Sequence, residues 1–261
     1  MPVTEPRYGL RVTTPLRRQP RGAARRDAIV EAAAALVVEA GPSTLTHRTI
    51  AQRADVPLAA TTYYFASLDD LVGAAGTRLA ERWAVHADAV LAAVTAEVTA
   101  DLTAEVTADL TAEVTADLTA EVTADLTAEV TAGATAGVAE VLGRPGSVAA
   151  VLSLERRCAV LVDAVLPAGG PLAVRGHYEH LVSAGRDDTL AGAYAAGRAG
   201  LDEAVTQIVD LLDIPVGPEI VVAVVDGAAV SALSEGGDVR VHAELLLRRT
   251  LLALQPAAAG A

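Results

Sequence analysis

Residues 44–72 read TLTHRTIAQRADVPLAATTYYFASLDDLV. They place Tyr63, Tyr64 and Phe65 back to back in a chain of 261 residues that has five Tyr, one Phe and one Trp. Thr46 is positioned to cap a short helix running through Ala54, with Ile50, Ala51 and Ala54 facing inward. Asp55-Val56-Pro57 ends that helix, because proline fits only a first turn and pushes its predecessor out of the helical region. A third short helix starts there and carries the aromatic run. Its Ala59, Ala60, Thr61 and Thr62 are small enough to approach base edges, while a tyrosine can set its ring against sugar and its hydroxyl on phosphate. Phe65 is expected to close the small core beneath. Ser67, followed by Asp69 and Asp70, caps the next helix and puts acids in its first turn, where the helix dipole favours them.

Upstream, Ile29, Ala33, Leu36 and Ala40 share one face of a helix that Gly41-Pro42 terminates. Three short helices with a break between the second and third are the elements of a helix-turn-helix. The first helix RRDAIVEAAAALVVEAG, the pattern T-x-R-x-I-A-x-x-A-x-V from Thr46 to Val56, and the run Y-Y-F-x-S before an acidic helix start resemble the DNA-binding domain of the tetracycline-repressor (TetR) family of bacterial regulators. The likeness is specific over residues 24–72; beyond them only the helical count and the apolar last pair of helices are similar. It implies a homodimer in which each third helix reads half of a near-palindromic double-stranded DNA operator, and a C-terminal domain that binds a small-molecule effector. By the same resemblance Ala59, Ala60, Thr61 and Tyr63 face the groove and Tyr64 the DNA backbone. Thr46, His47 and Arg48 lie near phosphate, as do Arg25 and Arg26 at the flanks. Three positions depart from the family pattern: Asp55 stands for a common glycine, Thr62 for a frequent tyrosine, and Leu68 for a lysine that resembles a phosphate contact.

Charge agrees with this division. The chain carries −13 overall, yet residues 1–65 hold nine arginines against five acids, a net of +4, and residues 66–261 hold eleven against 28, a net of −17. A basic head on an acidic body points to a polyanion as the head's partner. Residues 1–22 are rich in Pro, Arg and Thr and read as a disordered basic arm, with 23–68 as the helix-turn-helix domain. Hydrophobic residues make up 52% but aromatics only 3%, so Ala, Val and Leu must fill the interior, which favours packed helices and an all-α fold. Cys158 is the only cysteine, there is no signal-peptide core, and no apolar run is long enough to span a membrane. These features lead to the expectation of a cytoplasmic protein.

The remainder, residues 69–256, reads as a helical effector-binding and dimerisation domain interrupted at 95–132 by a repeat insertion. Residues 95–130 are nine consecutive copies of T-A-[E/D]-[V/L], with TAEVTADL as the eight-residue unit. As a helix they would span about 54 Å, and an apolar residue every fourth position drifts by about 40° per tetrad, so no single face can be buried along the whole length. The repeat is therefore expected to leave the long helix that starts at Ser67 near Val94 and to protrude. Further helices are expected at 136–143, 146–166, 171–185, 187–213, 217–234 and 239–254. The last two are apolar nearly all round, which places them either at the centre of the body or at a subunit contact. Trp83, Cys158, His177, Tyr178 and Tyr194 are the ligand-binding candidates, because large or polar side chains are scarce in this body. His177 and His180 in HYEH could add Glu179 or Cys158 to hold a metal, but the pattern favours residues at a pocket rim or surface, with no metal and no cofactor. No catalytic motif is present, so the chain is read as a ligand-responsive repressor and not as an enzyme; the alternatives are a helical scaffold whose acidic repeat binds a basic partner, or a metal-binding enzyme.

Overall fold

Alanine, valine and leucine supply the interior of an all-α protein, whose computed structural model describes residues 20–115, 151–185 and 188–254. Nine α-helices occur among them: α1 (Pro20–Ala40), α2 (His47–Arg53), α3 (Leu58–Tyr64), α4 (Leu68–Thr115), α5 (Leu154–Val165), α6 (Pro171–Ala184), α7 (Asp188–Leu211), α8 (Pro218–Glu235) and α9 (Val239–Leu254). No helix among the described residues is long and apolar enough to cross a membrane.

Helices α1 to α3 and the start of α4 enclose a small core of Ile29, Ala33, Val37, Ile50, Phe65 and Leu71, all buried. Local chemistry sets each boundary. Thr46 and Thr49 form a reciprocal capping box at the start of α2, each side-chain oxygen accepting from the other's backbone N–H at 3.0 Å. Asp55 adopts φ 52°, the left-handed turn that aspartate tolerates where glycine is usual. Ser67 accepts from the Asp70 N–H at 3.0 Å and starts α4. The first helix begins earlier than the sequence suggests: Pro20 occupies the opening turn, where its missing N–H has no cost, so residues 20–22 belong to α1. The rest of the expected arm, residues 1–19, lies outside the described residues.

A larger core joins α4 to α5, α6, α7, α8 and α9 through Trp83, Leu161, Leu201, Ile208, Val225 and Leu247, among others. The expected helix at 146–166 is interrupted: Ser153 caps α5 by accepting from the Arg156 N–H at 3.2 Å. The expected helix at 136–143 falls outside the described residues.

Helix α4 does not stop near Val94. It continues unbroken through the first five tetrads to Thr115, and Val98 and Leu102 of the repeat are buried beside Val94 in the main core. Arg156 on α5 pairs with Glu97 of the repeat at 2.7 Å. The expectation of protrusion thus fails for the start of the repeat, because its four-residue spacing continues the stripe of Val90 and Val94. Residues 116–130 lie outside the described residues. Replacing Leu102 with alanine should destabilise the protein by about 2–5 kcal/mol in urea denaturation, whereas Asp101→Ala or Glu105→Ala, at neighbouring exposed positions, should change it by about 0.5 kcal/mol or less.

Candidate nucleic-acid interface and buried aromatic cluster

On α3 the helical period sorts the side chains cleanly. Leu58, Ala59, Thr62 and Tyr63 face solvent, Tyr63 being 81% exposed, while Thr61 and Phe65 are buried and Ala60 and Tyr64 pack partly against the small core. Thr61 is therefore not a groove-facing residue. It lies one turn before Phe65 on the inward side, and its hydroxyl donates to the Leu58 carbonyl at 2.8 Å. Ala60 is turned inward with it. Thr62 takes the outward position instead, its hydroxyl bonded back to the Ala59 carbonyl at 3.2 Å. Counting back four residues from Phe65, itself expected in the core, would have found this from the sequence.

The flanking groups divide as well. Arg25 and Arg48 are exposed, and Arg26 lies over the Phe65 ring at 4.9 Å from its centroid, a cation–π contact that also shields the core. Thr46 is exposed, but its hydroxyl is engaged in the α2 cap. His47 is half-buried with Nδ1 unpartnered. Tyr64 meets Tyr63 edge-on at 5.0 Å, and its hydroxyl lies beside Gly22 at the start of α1. Leu68, in place of the usual lysine, packs against the small core.

The second constellation lies in the body. Trp83 of α4, His177 and His180 of α6, and Tyr194 of α7 form a chain of edge-to-face rings: Trp83–His177 at 4.6 Å, His177–Tyr194 at 6.0 Å and His180–Tyr194 at 5.4 Å. Tyr178 joins at 6.0 Å from His177. All five are buried, which corrects the expectation that the HYEH histidines sit at a rim or surface. Two polar atoms are satisfied, Trp83 Nε1 by the Val165 carbonyl at 2.6 Å and the Tyr178 hydroxyl by Asp226 at 2.9 Å. Four are not: His177 Nε2, both ring nitrogens of His180 and the Tyr194 hydroxyl. Each such atom costs about 1–3 kcal/mol when buried without a partner.

Burial sets the electrostatics here. It lowers the His177 pKa to about 4, with His180 adding repulsion, and lowers that of His180 in the same way; both rings are neutral near pH 7. Burial also raises the Asp226 carboxyl above its ordinary range, against the pull of Tyr178 and Arg198. Among the described residues no three His, Cys, Asp or Glu side chains are grouped to hold a metal. Two surface clefts reach the cluster's edge. One of about 380 Å³ between α6 and α8 is lined by Tyr178, Val182, Val230 and Leu233, and one of about 530 Å³ is lined by Arg198, Asp202, Ala223 and Asp226. The Tyr178–Asp226 hydrogen bond thus stands between them.

Of the five ligand-binding candidates, Trp83, His177, Tyr178 and Tyr194 come together, and Cys158 does not. It lies two turns along α5 from Val165, a rise of about 10 Å, and its charged neighbours are Arg157, Glu155, Arg248 and Glu244, toward α9. Burial raises its thiol to about 11. Asp226 was missed, and His180 was weighed only as a metal ligand, because their meaning depends on which helix packs behind them.

The same segment of α6 touches the head. A Cβ on Gly176 would lie 2.4 Å from the Val38 carbonyl oxygen and 2.8 Å from that of Val37, so the last turn of α1 rests directly on α6 backbone. Gly41, at φ 81°, sits beside the Glu179 carboxylate.

Residues 152–253 match the family described as tetracyclin repressor-like, C-terminal domain. Among solved structures, the chain is similar to the multidrug binding protein EbrR complexed with imidazole, at 25% identity, covering 93% of this chain and 97% of that one, with a TM-score of 0.51. EbrR complexes with proflavin and with malachite green, each 25% identical, give a TM-score of 0.48; they cover 86% and 89% of this chain and 98% and 99% of theirs. No curated protein matches the chain significantly.

The neutral histidines make stability depend on pH. Between about pH 6.5 and 4 the unfolded chain takes up a proton at His177 that the folded chain refuses, so stability is present above 6.5 and falls as pH drops. Urea denaturation across that window should show a loss on the order of 3 kcal/mol from this residue, and His177→Phe should reduce the slope.

Proposed function

We propose that the chain is a ligand-responsive transcriptional regulator of the tetracycline-repressor family, and that it is a homodimeric, sequence-specific DNA-binding repressor released from its operator by a small effector; the match of residues 152–253 and the likeness to EbrR support this reading. The observation that carries the reading is the outward face of α3. Ala59, Thr62 and Tyr63 present small side chains and one fully projecting tyrosine on a helix whose opposite face is locked into the core. That is the requirement for entering a major groove. Arg25 and Arg48 supply cations at the flanks for phosphate, and Tyr63 the reach to base edge or sugar.

Pairing is assigned to α8 and α9. Val241, Leu245 and Leu252 fall within about 40° of one another on α9 and are 64%, 44% and 47% exposed, and Val230 on α8 is 48% exposed. Apolar side chains repeated on one helix face suit a second copy of the same face across a two-fold axis. Two α3 helices then address half-sites about 34 Å apart.

Release follows from the joint between α6 and α1. The effector occupies the aromatic cluster, α6 shifts, and the α1 carbonyls seated on Gly176 move with it, altering the spacing of the two heads. Coupling of this kind is reciprocal: operator DNA must weaken effector binding by the factor by which effector weakens operator binding.

In a gel shift with the chain's own upstream DNA, a specific complex should persist at salt that removes nonspecific binding. Tyr63→Ala should cost about 1–3 kcal/mol of specific affinity. Arg48→Ala should weaken all sequences alike and lower the salt slope by about one unit. A complex that dissolves at the same salt for operator and random DNA would refute the assignment. Gly176→Ala should shift the effector concentration for half-release, and an unchanged value would remove α6 from the pathway.

A further inference from the structure

We infer that the buried cluster is a seat for an uncharged aromatic ligand that both donates and accepts hydrogen bonds, held at its polar edge by His177, His180 and Tyr194, and that it selects against organic cations. The inference rests on the reading of this cluster as the effector site and adds the ligand's chemical class.

Its first support is the pattern of satisfaction. The polar atoms of Trp83 and Tyr178 have protein partners, and the four without partners belong to three rings whose neighbouring centroids lie 5.4 and 6.0 Å apart. His180 is fully buried and His177 nearly so. A neutral imidazole offers one N–H and one lone-pair nitrogen, and a tyrosine hydroxyl can play either part. The complementary molecule therefore carries at least one donor and one acceptor, as a phenol, an amide or a lactam does. The surrounding rings, set at 64° to 86° to one another, provide flat and edge contacts for an aromatic body.

The second support is the charge around the seat. Half-buried Asp226 is the carboxylate at its edge, and it is already hydrogen-bonded by Tyr178 and paired with Arg198 at 3.5 Å. Asp202, the other partner of Arg198, and Glu179 are exposed. A cation placed against His177 and His180 would lose its water and find two neutral rings, and the half-buried Asp226 beside them is already paired with Arg198. An anion would require an imidazole to take a proton that burial opposes. An uncharged ligand meets neither obstacle.

Three probes of nearly one shape separate these terms: 3-tert-butylphenol, the isosteric cation (3-hydroxyphenyl)trimethylammonium, and 3-tert-butylanisole, which keeps an acceptor but lacks the donor. Calorimetry on the full chain gives their affinities, and the fluorescence of Trp83, the one tryptophan, reports occupancy of the seat. The phenol should bind at least tenfold more tightly than the cation and the ether. His180→Phe should reduce phenol affinity at least fivefold and cancel the preference over the ether, with thermal melting at or above the wild-type temperature because an unpartnered polar ring has been replaced by an apolar one. Tyr194→Phe provides the second test of the polar edge, with a smaller loss in the same direction.

Equal or tighter binding of the cation would overturn the inference, as would an unchanged phenol affinity in both variants. If the cation alters Trp83 fluorescence and releases operator DNA, the cluster remains the effector site and only the ligand class is wrong. If no probe perturbs Trp83 at millimolar concentration, the seat itself is refuted.

Discussion

One helix belongs to both cores. Helix α4 contributes Leu71, Ala75 and Leu79 to the head, and Trp83, Ala87, Val90, Val94, Val98 and Leu102 to the body or its border. At about 100° per residue a four-residue step advances the buried stripe by about 40°, so the head-facing side and the farthest body-facing side differ by more than a quarter turn. A single rigid rod can therefore carry the head on one flank and the body on another. Glu31 of α1 reaches Arg78 and Arg82 on the same rod, which fixes α1 against it. The head is thus held at two places, along α4 and at the close approach of α1 to Gly176, and a change in their relative position must reorient α3.

This geometry also accounts for the repeat. A tetrad spacing looks foreign to a helix of 3.6 residues per turn, but the stripe from Leu71 to Ala87 already advances by fours. TAEVTADL prolongs that precession. Its first apolar positions, Val98 and Leu102, are buried in the core of the body. A drift of about 40° per tetrad prevents one face from being buried throughout the repeat, yet it still allows burial of the first two tetrads, because adjacent tetrads differ little in direction.

The head was legible in detail because its signals are local. Capping threonines, a proline and an aspartate in a left-handed turn define boundaries without reference to distant residues, and the structure places α2, α3 and Phe65 where those signals put them. The error at Thr61 came from treating a run of small residues as a uniform surface; a seven-residue helix still has two sides. In the body the last four helices begin and end within two residues of the expected 171–185, 187–213, 217–234 and 239–254, set by local glycines and prolines, but which side chains they bury together was not legible. His177 and His180 carry no local mark of burial, and their environment is decided by Trp83 and Tyr194, which lie far from them in sequence and arrive through the packing of α4 and α7 on α6. Cys158 failed as a candidate for the same reason: scarcity of a residue type says nothing about which side of a helix it occupies.

Burying four unpartnered polar atoms is a poor way to stabilise a domain, and within the same cluster Trp83 Nε1 and the Tyr178 hydroxyl do find protein partners. The deficit is concentrated on the segment of α6 that also bears the head's closest contact. A molecule that completes those hydrogen bonds gains from the deficit, and it gains most in whichever arrangement of α6 brings His177, His180 and Tyr194 into register with it. If that arrangement differs from the one that seats Gly176 under the α1 carbonyls, ligand affinity and operator affinity oppose each other by necessity, with no requirement for contact between the two sites. The physical basis of a response would then be an unsatisfied interior on one side of a helix turn and a backbone-to-backbone contact on the other.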